Sequence, residues 1–171
     1  LFMPSKWRNW AFTTEPQAGL NGRSGYQPRG RMLGGSSGLN AMIYTRGHPG
    51  DYDDWAAQGA EGWAFADVLP YFVRAEGNER LGGPLHGRDG PLNVADLVSP
   101  SPVNDLFLDA CNQLQIVPNS DFNGPDQEGV GLYQVTQKNG ERWSAARAYL
   151  PPETRSRPNL RIATGTRALR V

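Results

Sequence analysis

The chain has 171 residues, enough for one domain or a piece of a larger one, and its 17 basic and 17 acidic residues give a formal charge of zero. Balanced charge argues against nucleic acid, which needs a cationic surface to displace counterions, and gives no indication of an anionic membrane. The single cysteine excludes an internal disulfide and a multi-cysteine metal site, and no apolar run approaches the ~20 residues of a membrane span.

The ends of the sequence predict a fragment of a longer protein. The chain opens on Leu1 rather than Met, and Val171 lies inside a predicted strand. Lys6 and its neighbours interrupt the apolar stretch that a signal peptide needs, so no signal peptide is expected. The 21 glycines and 14 prolines are interspersed with 17 aromatic residues, a composition that predicts ordered loops rather than disorder.

The first half of the chain contains two predicted helices separated by turns. Residues 1–30 are expected to be irregular. A short helix is predicted over 51–58, with Asp51 as its cap. Residues 66–76 place their apolar side chains on one stripe with the helical period, which predicts a second helix. A Gly-rich loop is expected over 77–93.

The clearest predicted helix lies over 102–114. Ser101 is a good N-cap, and Pro102 occupies the first helical position, where its missing N–H costs little. The apolar residues of this segment recur with helical spacing. Cys111 belongs to that stripe and is expected to be a buried small hydrophobe rather than a reactive thiol.

The last third of the chain is predicted to hold short elements. In chain order these are a polar turn over 119–129, a strand over 130–137, a hairpin turn at Asn139-Gly140, a helix over 145–150 capped by Ser144, and two short strands around Gly165 within 158–171. Residues 142–171 contain seven Arg and one Glu, a local charge of +6. A solvated or internally paired face is the simplest interpretation of this excess.

The densest motif is GRMLGGSSGLNAMIYTRGHPGDYD at residues 30–53, the signature segment. Its residues 34–38 hold three glycines and two serines. Glycine allows positive φ and close approach to a ligand, and consecutive N–H groups with hydroxyls form an anion site. An element that resembles a helix start over 39–43 would add its dipole. The segment indicates a site for pyrophosphate or another anion, with a tight packing turn as the alternative.

Other catalytic signatures are missing from the sequence. It has no dinucleotide fingerprint of three spaced glycines after a strand and no P-loop lysine. The only histidines, His48 and His86, lie in loops rich in glycine and proline. We expect them to have turn or surface roles rather than chemical ones.

The signature segment resembles the first signature of the glucose–methanol–choline (GMC) oxidoreductases. The matching residues are Gly30, Arg31, Leu33, Gly34, Gly35, Ser36, Ser37, Leu39, Asn40, Tyr44, Gly47 and Asp53. The resemblance continues through residues 9–17, 62–72, 90–92, 121–124 and 142–147, and so covers almost the whole chain. It is nearest to the choline-dehydrogenase-like and alcohol-dehydrogenase-like branch.

The resemblance implies an α/β fold, or α+β for the fragment alone, within an FAD-binding protein whose substrate domain is built on an antiparallel sheet. Residues 1–60 would belong to the FAD-binding domain and would include the flavin-attachment loop at 30–53. Residues 61–157 would supply substrate-side helices, loops and a strand. Residues 158–171 would return to FAD-binding strands.

The resemblance also implies a set of cofactor contacts. These are Leu33, Gly34, Gly35, Ser36, Asn40, Ala41, Met42, Ile43 and, beside the adenine, Ala168. Leu39 stands where some oxidases of the family carry a His that tethers the flavin, so noncovalent FAD is expected. No metal site and no catalytic residue is expected here, because the dinucleotide-binding βαβ unit would precede this chain and the catalytic His would follow it.

The implied activity is oxidation of a primary alcohol, choline-like or other, by hydride transfer to flavin N5. The electron acceptor would be a quinone, a dye-type acceptor or oxygen, and the isolated chain is expected to be inactive and poorly soluble. A noncatalytic interaction module and an FAD-containing lyase are the alternatives. A bacterial cytoplasmic location is expected, peripheral to the inner membrane only through the acceptor.

Overall fold

A computed structural model describes residues 7–170 of the chain. The helices are α1 (Pro49–Ala57), α2 (Phe65–Ala75), α3 (Pro102–Gln113), α4 (Ala145–Tyr149) and α5 (Pro152–Arg155). The strands are β1 (Phe12–Thr13), β2 (Tyr26–Gln27), β3 (Glu76–Asn78), β4 (Leu92–Val94), β5 (Gln137–Lys138) and β6 (Glu141–Arg142). Single 3-10 turns cover Ala18–Leu20 and Gly35–Gly38. Leu1, Lys6 and Val171, which carry three of the sequence predictions, lie outside the described residues.

The chain divides into two compact units. The first unit consists of residues 7–41 and 144–170, and the second unit consists of residues 42–143. The first unit contains β1, β2, α4 and α5, whereas the second unit contains the remaining helices and strands. The domain assignment made from the sequence concerns a longer protein and stays a prediction.

The first unit begins with a short antiparallel pair. Phe12 lies opposite Gln27, and Thr13 lies opposite Tyr26. The prediction that residues 1–30 are irregular is therefore wrong for these two strands. Asn9 supports this pair from a buried position, because its Oδ1 accepts a hydrogen bond from the Arg29 N–H at 2.9 Å. Strands of two residues carry too little alternation to be recognised in a sequence.

Aromatic side chains join α1 and α2 in the second unit. The Tyr52 ring, buried on α1, lies 5.8 Å from the Phe72 ring on α2 in an edge-on arrangement. The predicted helix over 51–58 is confirmed, but its cap is His48 rather than Asp51. The His48 ring nitrogen accepts from the Gly50 N–H, and Asp51 accepts from the His48 N–H to complete a capping box.

The helix α2 leads directly into the buried strand β3. This strand pairs in parallel with β4, so the prediction of a loop over 77–93 is wrong at both ends of that range. Gly77 permits the pairing, because a Cβ atom there would lie 2.4 Å from the Gly90 carbonyl oxygen. Strands of three residues with a Gly-rich connection resemble a loop in the sequence, and only their pairing reveals them.

The helix α3 has the boundaries that its caps predict. The Ser101 hydroxyl accepts from the Val103 N–H at 3.4 Å, and Cys111 is buried as expected. Most of the predicted apolar stripe is exposed, however, including Leu106 and Phe107. Of the helices that the structure describes, none is long and apolar enough to cross a membrane.

Turn chemistry predicts the C-terminal elements better than strand patterns do. Asn139 and Gly140, with φ of +52° and +75°, form the expected hairpin turn between β5 and β6. The expected Ser144 cap of α4 is also present. The prediction of a strand over 130–137 is wrong, because this segment makes only isolated bridges before β5. The two strands predicted within 158–171 are absent from residues 158–170.

Candidate cofactor site

Gly30 and Gly35 bring the ends of a tight loop together in the first unit. A Cβ atom on Gly30 would lie 2.1 Å from the Gly35 carbonyl oxygen, so glycine is required at this position. The Gly30 N–H donates to the Ser36 hydroxyl at 3.1 Å and connects the same two segments. Gly34 and Gly35 have φ of +86° and +54°, left-handed conformations that glycine adopts at little cost.

The two serines of this loop have different roles. The Ser37 hydroxyl donates to the Gly34 carbonyl and accepts from the Ala145 N–H at 2.9 Å, so it attaches the loop to the start of α4. The Ser36 hydroxyl accepts from Gly30, and its own proton has no acceptor among residues 7–170. Ser36 therefore remains able to donate a hydrogen bond to a ligand.

Three consecutive backbone N–H groups in this loop have no acceptor among residues 7–170. They belong to Met32, Leu33 and Gly34. Successive N–H groups in a turn form a concave site for an anion, and an amide without a partner is costly unless solvent or a ligand supplies one. This donor set fits the phosphate oxygens of FAD, the group that the resemblance implies.

A groove of about 550 Å³ in the first unit opens beside the loop. Its lining residues are Trp10, Gly30, Arg31, Met32, Leu33, Ala163, Thr164, Gly165, Thr166 and Arg167. The groove brings the predicted contact Leu33 together with the C-terminal segment expected to meet the adenine. Ala168 follows the lining residues in the chain but does not line the groove, and its assignment stays a prediction.

Two guanidinium groups and an indole ring occupy one part of this groove. The Cζ atoms of Arg31 and Arg167 lie 4.8 Å and 5.8 Å from the centre of the Trp10 ring. Sequence reasoning did not single out Trp10 and Arg167 as site residues. Arg31 is a position of the signature segment, and that was the one available signal for its role.

The signature segment continues into the second unit as extended chain. The Thr136 N–H donates to the Met42 carbonyl at 2.8 Å, and the Tyr44 N–H donates to the Gln134 carbonyl at 2.9 Å. The helix start expected over 39–43 is therefore wrong, and no helix dipole acts there. The predicted contacts Met42 and Ile43 lie on this strand-like stretch, and Ile43 is exposed.

The other predicted contacts, Asn40 and Ala41, end the first unit. Both are exposed, and the Asn40 N–H donates to the Ser36 carbonyl at 2.8 Å. The predicted cofactor residues are thus divided between the two units, from Leu33 to Ala41 in one and at Met42 and Ile43 in the other.

A buried charge cluster lies directly behind the extended stretch in the second unit. It consists of Arg46, Glu76, His86 and Asp121. Arg46 Nη2 lies 2.5 Å from Glu76 Oε2, and both side chains are almost fully buried. The His86 ring nitrogens lie 3.0 Å from Glu76 Oε1 and 2.9 Å from Asp121 Oδ2. The surface role expected for His86 is therefore wrong, whereas the turn role expected for His48 is confirmed.

Arg46 connects this cluster to the signature segment. Its N–H donates to Asn123 Oδ1 at 2.7 Å, and Asn123 Nδ2 donates to the Tyr44 carbonyl at 3.3 Å. Arg46 Nη1 donates to the Leu85 carbonyl at 2.7 Å. The cluster thus fixes the backbone that follows Met42 and Ile43.

The two units carry opposite charges. Residues 1–41 and 144–171, which include the first unit, contain eleven basic and two acidic residues and so have a net charge of +9. The second unit contains six basic and fifteen acidic residues, a net charge of −9. The formal charge of zero thus conceals a strongly cationic unit around the groove, which suits an anionic ligand.

A family comparison identifies the class of this protein. The profile described as GMC oxidoreductase matches residues 11–171, and the chain belongs to that family. The predicted family and its α/β fold are confirmed.

Individual relatives agree with this assignment. The chain is 48% identical to the alcohol dehydrogenase [acceptor] of Pseudomonas putida, with 100% of this chain and 31% of the relative covered. It is 48% identical to the mitochondrial choline dehydrogenase of Homo sapiens, with 95% and 27% covered. The chain thus spans less than a third of the length of these relatives.

Solved structures share the fold. Pyridoxine 4-oxidase from Mesorbium loti superposes with a TM-score of 0.84 at 37% identity, over 92% of this chain and 31% of that one. An FAD-dependent oxidoreductase from Chaetomium thermophilum gives a TM-score of 0.80 at 30% identity, over 91% of this chain and 29% of that one.

Proposed function

We propose that this chain supplies part of the FAD site of an oxidoreductase that converts a primary alcohol to an aldehyde. The observation that carries the proposal is the set of consecutive N–H groups at Met32, Leu33 and Gly34, which lack acceptors among residues 7–170 and lie in the signature segment of a GMC oxidoreductase. The names of the similar alcohol and choline dehydrogenases support the substrate class.

When bound, the flavin supplies the acceptor for the hydride that leaves the alcohol carbon. The residues of this chain bind and orient the cofactor. The N–H groups of Met32 to Gly34, which lack acceptors among residues 7–170, and the Ser36 hydroxyl would donate to its phosphate oxygens. Met42 and Ile43 are held in place for contact with the ring system by their pairing with residues 134–136.

The proposal also covers the attachment of the cofactor and the surroundings of the enzyme. We propose noncovalent FAD, because Leu39 has no nucleophilic atom that could bond to the flavin. A base takes the proton of the substrate hydroxyl group. We propose that this base lies in the full-length protein outside residues 1–171. The electron acceptor is a quinone, a dye-type acceptor or oxygen, and the enzyme is located in the cytoplasm of a bacterium.

Anaerobic reduction of the flavin by alcohols tests this function. The full-length protein containing this chain should copurify with a yellow flavin that acid releases as FAD. Primary alcohols, including choline, should then bleach its visible absorbance, and a matched ether without a hydroxyl group should not. Acid-stable flavin would contradict noncovalent binding. Released FAD that no alcohol reduces would favour the lyase, and a colourless protein that cannot be reconstituted would favour the noncatalytic module.

A further inference from the structure

We propose that Arg31 and Arg167, both placed against the ring of Trp10, bind the diphosphate of the cofactor and select the dinucleotide FAD over an uncharged flavin. This inference rests on the proposed function, and it assigns the charge recognition to residues outside the glycine-rich turn. It adds two side-chain cations to the backbone donors of Met32 and Leu33.

The first support is the placement of the two cations. Both line the groove of about 550 Å³ that Met32 and Leu33 also line. The Trp10 ring lies within 6 Å of both Cζ atoms, at 4.8 Å from Arg31 and 5.8 Å from Arg167. Contact with an aromatic face restricts a long side chain before any ligand arrives, and this lowers the entropy lost on binding.

The second support is the absence of compensating charge. Among residues 7–170, neither Arg31 nor Arg167 forms an ion pair with a carboxylate. The first unit holds only two acidic residues, Glu15 and Glu153, and neither lines the groove. Two cations in one groove repel each other, and a diphosphate relieves this repulsion while it accepts bidentate hydrogen bonds from both guanidinium groups.

The third support is the difference between the possible ligands. FAD carries two negative charges on its diphosphate, whereas riboflavin carries the same ring system without phosphate. Contact with the ring system alone would make the two guanidinium groups irrelevant to affinity. Recognition of the diphosphate means that their removal weakens the binding of FAD and leaves the binding of riboflavin unchanged.

The test compares ligand affinities of the full-length apoprotein at low salt. The variants are Arg31→Gln and Arg167→Gln, with Arg157→Gln as a control, because Arg157 is an exposed arginine of the same unit that does not line the groove. We expect each groove variant to weaken FAD binding about tenfold or more, the usual size for a hydrogen bond to a charged group. Riboflavin affinity should stay within about twofold of wild type, and Arg31→Lys should restore part of the FAD affinity.

Each outcome decides a different question. If both groove variants bind FAD as tightly as Arg157→Gln does, the inference is overturned while the proposed function stands. If the wild-type apoprotein binds neither FAD nor riboflavin, the proposed function itself fails. If a variant does not fold, the salt dependence of ligand binding to the wild-type protein still tests the inference. The affinity for FAD must fall steeply as ionic strength rises, whereas the affinity for riboflavin must not. Equal salt dependence for the two ligands would overturn the inference.

Discussion

Glu76 is the residue whose surroundings explain most about the second unit. Its carboxylate is fully buried and meets Arg46, His86, Asn78 and the Gly87 N–H. Such a cluster adds little net stability when it is complete, because desolvation of its charges offsets their attraction. Its value lies in geometry, since Arg46 cannot move without leaving a buried charge unpaired. The cluster therefore holds the extended half of the signature segment in one position.

We expect Glu76→Gln to destabilise the protein by about 3–5 kcal/mol, because the substitution leaves Arg46 buried without a counterion. Urea unfolding followed by fluorescence measures the change. Glu61→Gln is the matched control, because Glu61 is exposed, and it should change the free energy of unfolding by less than about 0.5 kcal/mol. Equal effects of the two substitutions would show that the cluster does not constrain the second unit.

Gly30→Ala tests the close approach in the loop. The added Cβ would lie 2.1 Å from the Gly35 carbonyl, so the loop must open, at a cost of about 1–3 kcal/mol and with loss of bound flavin. Gly19→Ala meets nothing within 4 Å and should leave flavin content and stability nearly unchanged. Thermal unfolding and flavin absorbance check both variants, and flavin retained by Gly30→Ala would contradict the role of the loop.

The residues of the site were only partly predictable from the sequence. Gly34, Gly35 and Ser36 were accessible because glycine and serine have local chemistry that restricts what a turn can do. The contact between Trp10 and Arg167 joins residues from opposite ends of the chain. No local pattern encodes such a contact, and for the same reason the burial of His86 in the charge cluster was missed.

At the scale of elements, end signals and helical periodicity were more informative than strand alternation, and the helix predicted over 66–76 from its apolar stripe is confirmed as α2. The helix α3 and the turn between β5 and β6 were predicted well, because Ser101, Pro102 and Asn139-Gly140 specify backbone conformation locally. The β3–β4 pair was missed because its two strands are three residues long and gain stability only from each other. The strands expected near Gly165 rested on alternation alone, and the chain there is irregular.

We expect Ser101→Ala to destabilise α3 by about 1 kcal/mol, because the Val103 N–H loses its hydroxyl acceptor. Ser99→Ala serves as the control, because Ser99 is exposed and lies before the cap. Thermal unfolding of the two variants side by side measures the difference. Indistinguishable midpoints would mean that the hydroxyl does not act as a helix cap.

At the scale of the whole molecule, apolar surface predicts self-association of the isolated chain. Leu106 and Phe107 on α3 are 69% and 62% exposed, and neighbouring Val103 extends the same face. Contiguous apolar surface of this kind promotes association in water. The double substitution Leu106→Gln with Phe107→Gln should therefore shift chain 1–171 toward smaller species in sedimentation velocity.

The control for this prediction is Leu20→Gln, since Leu20 is 49% exposed but lies outside α3. It should leave the size distribution of the chain unchanged. A wild-type chain 1–171 that stays monomeric and unfolds cooperatively without FAD would contradict the prediction, because its exposed apolar face would then be tolerated.

The measurement that tests the central claim most directly is the flavin content of two proteins prepared in parallel, the full-length polypeptide and chain 1–171. We predict that the full-length protein carries acid-releasable FAD and that the chain alone, which holds one part of the site, does not retain it. The Gly30→Ala variant of the full-length protein should also lose the cofactor. A full-length protein without flavin after reconstitution with FAD would contradict the account, and the glycine-rich loop would then be a packing turn.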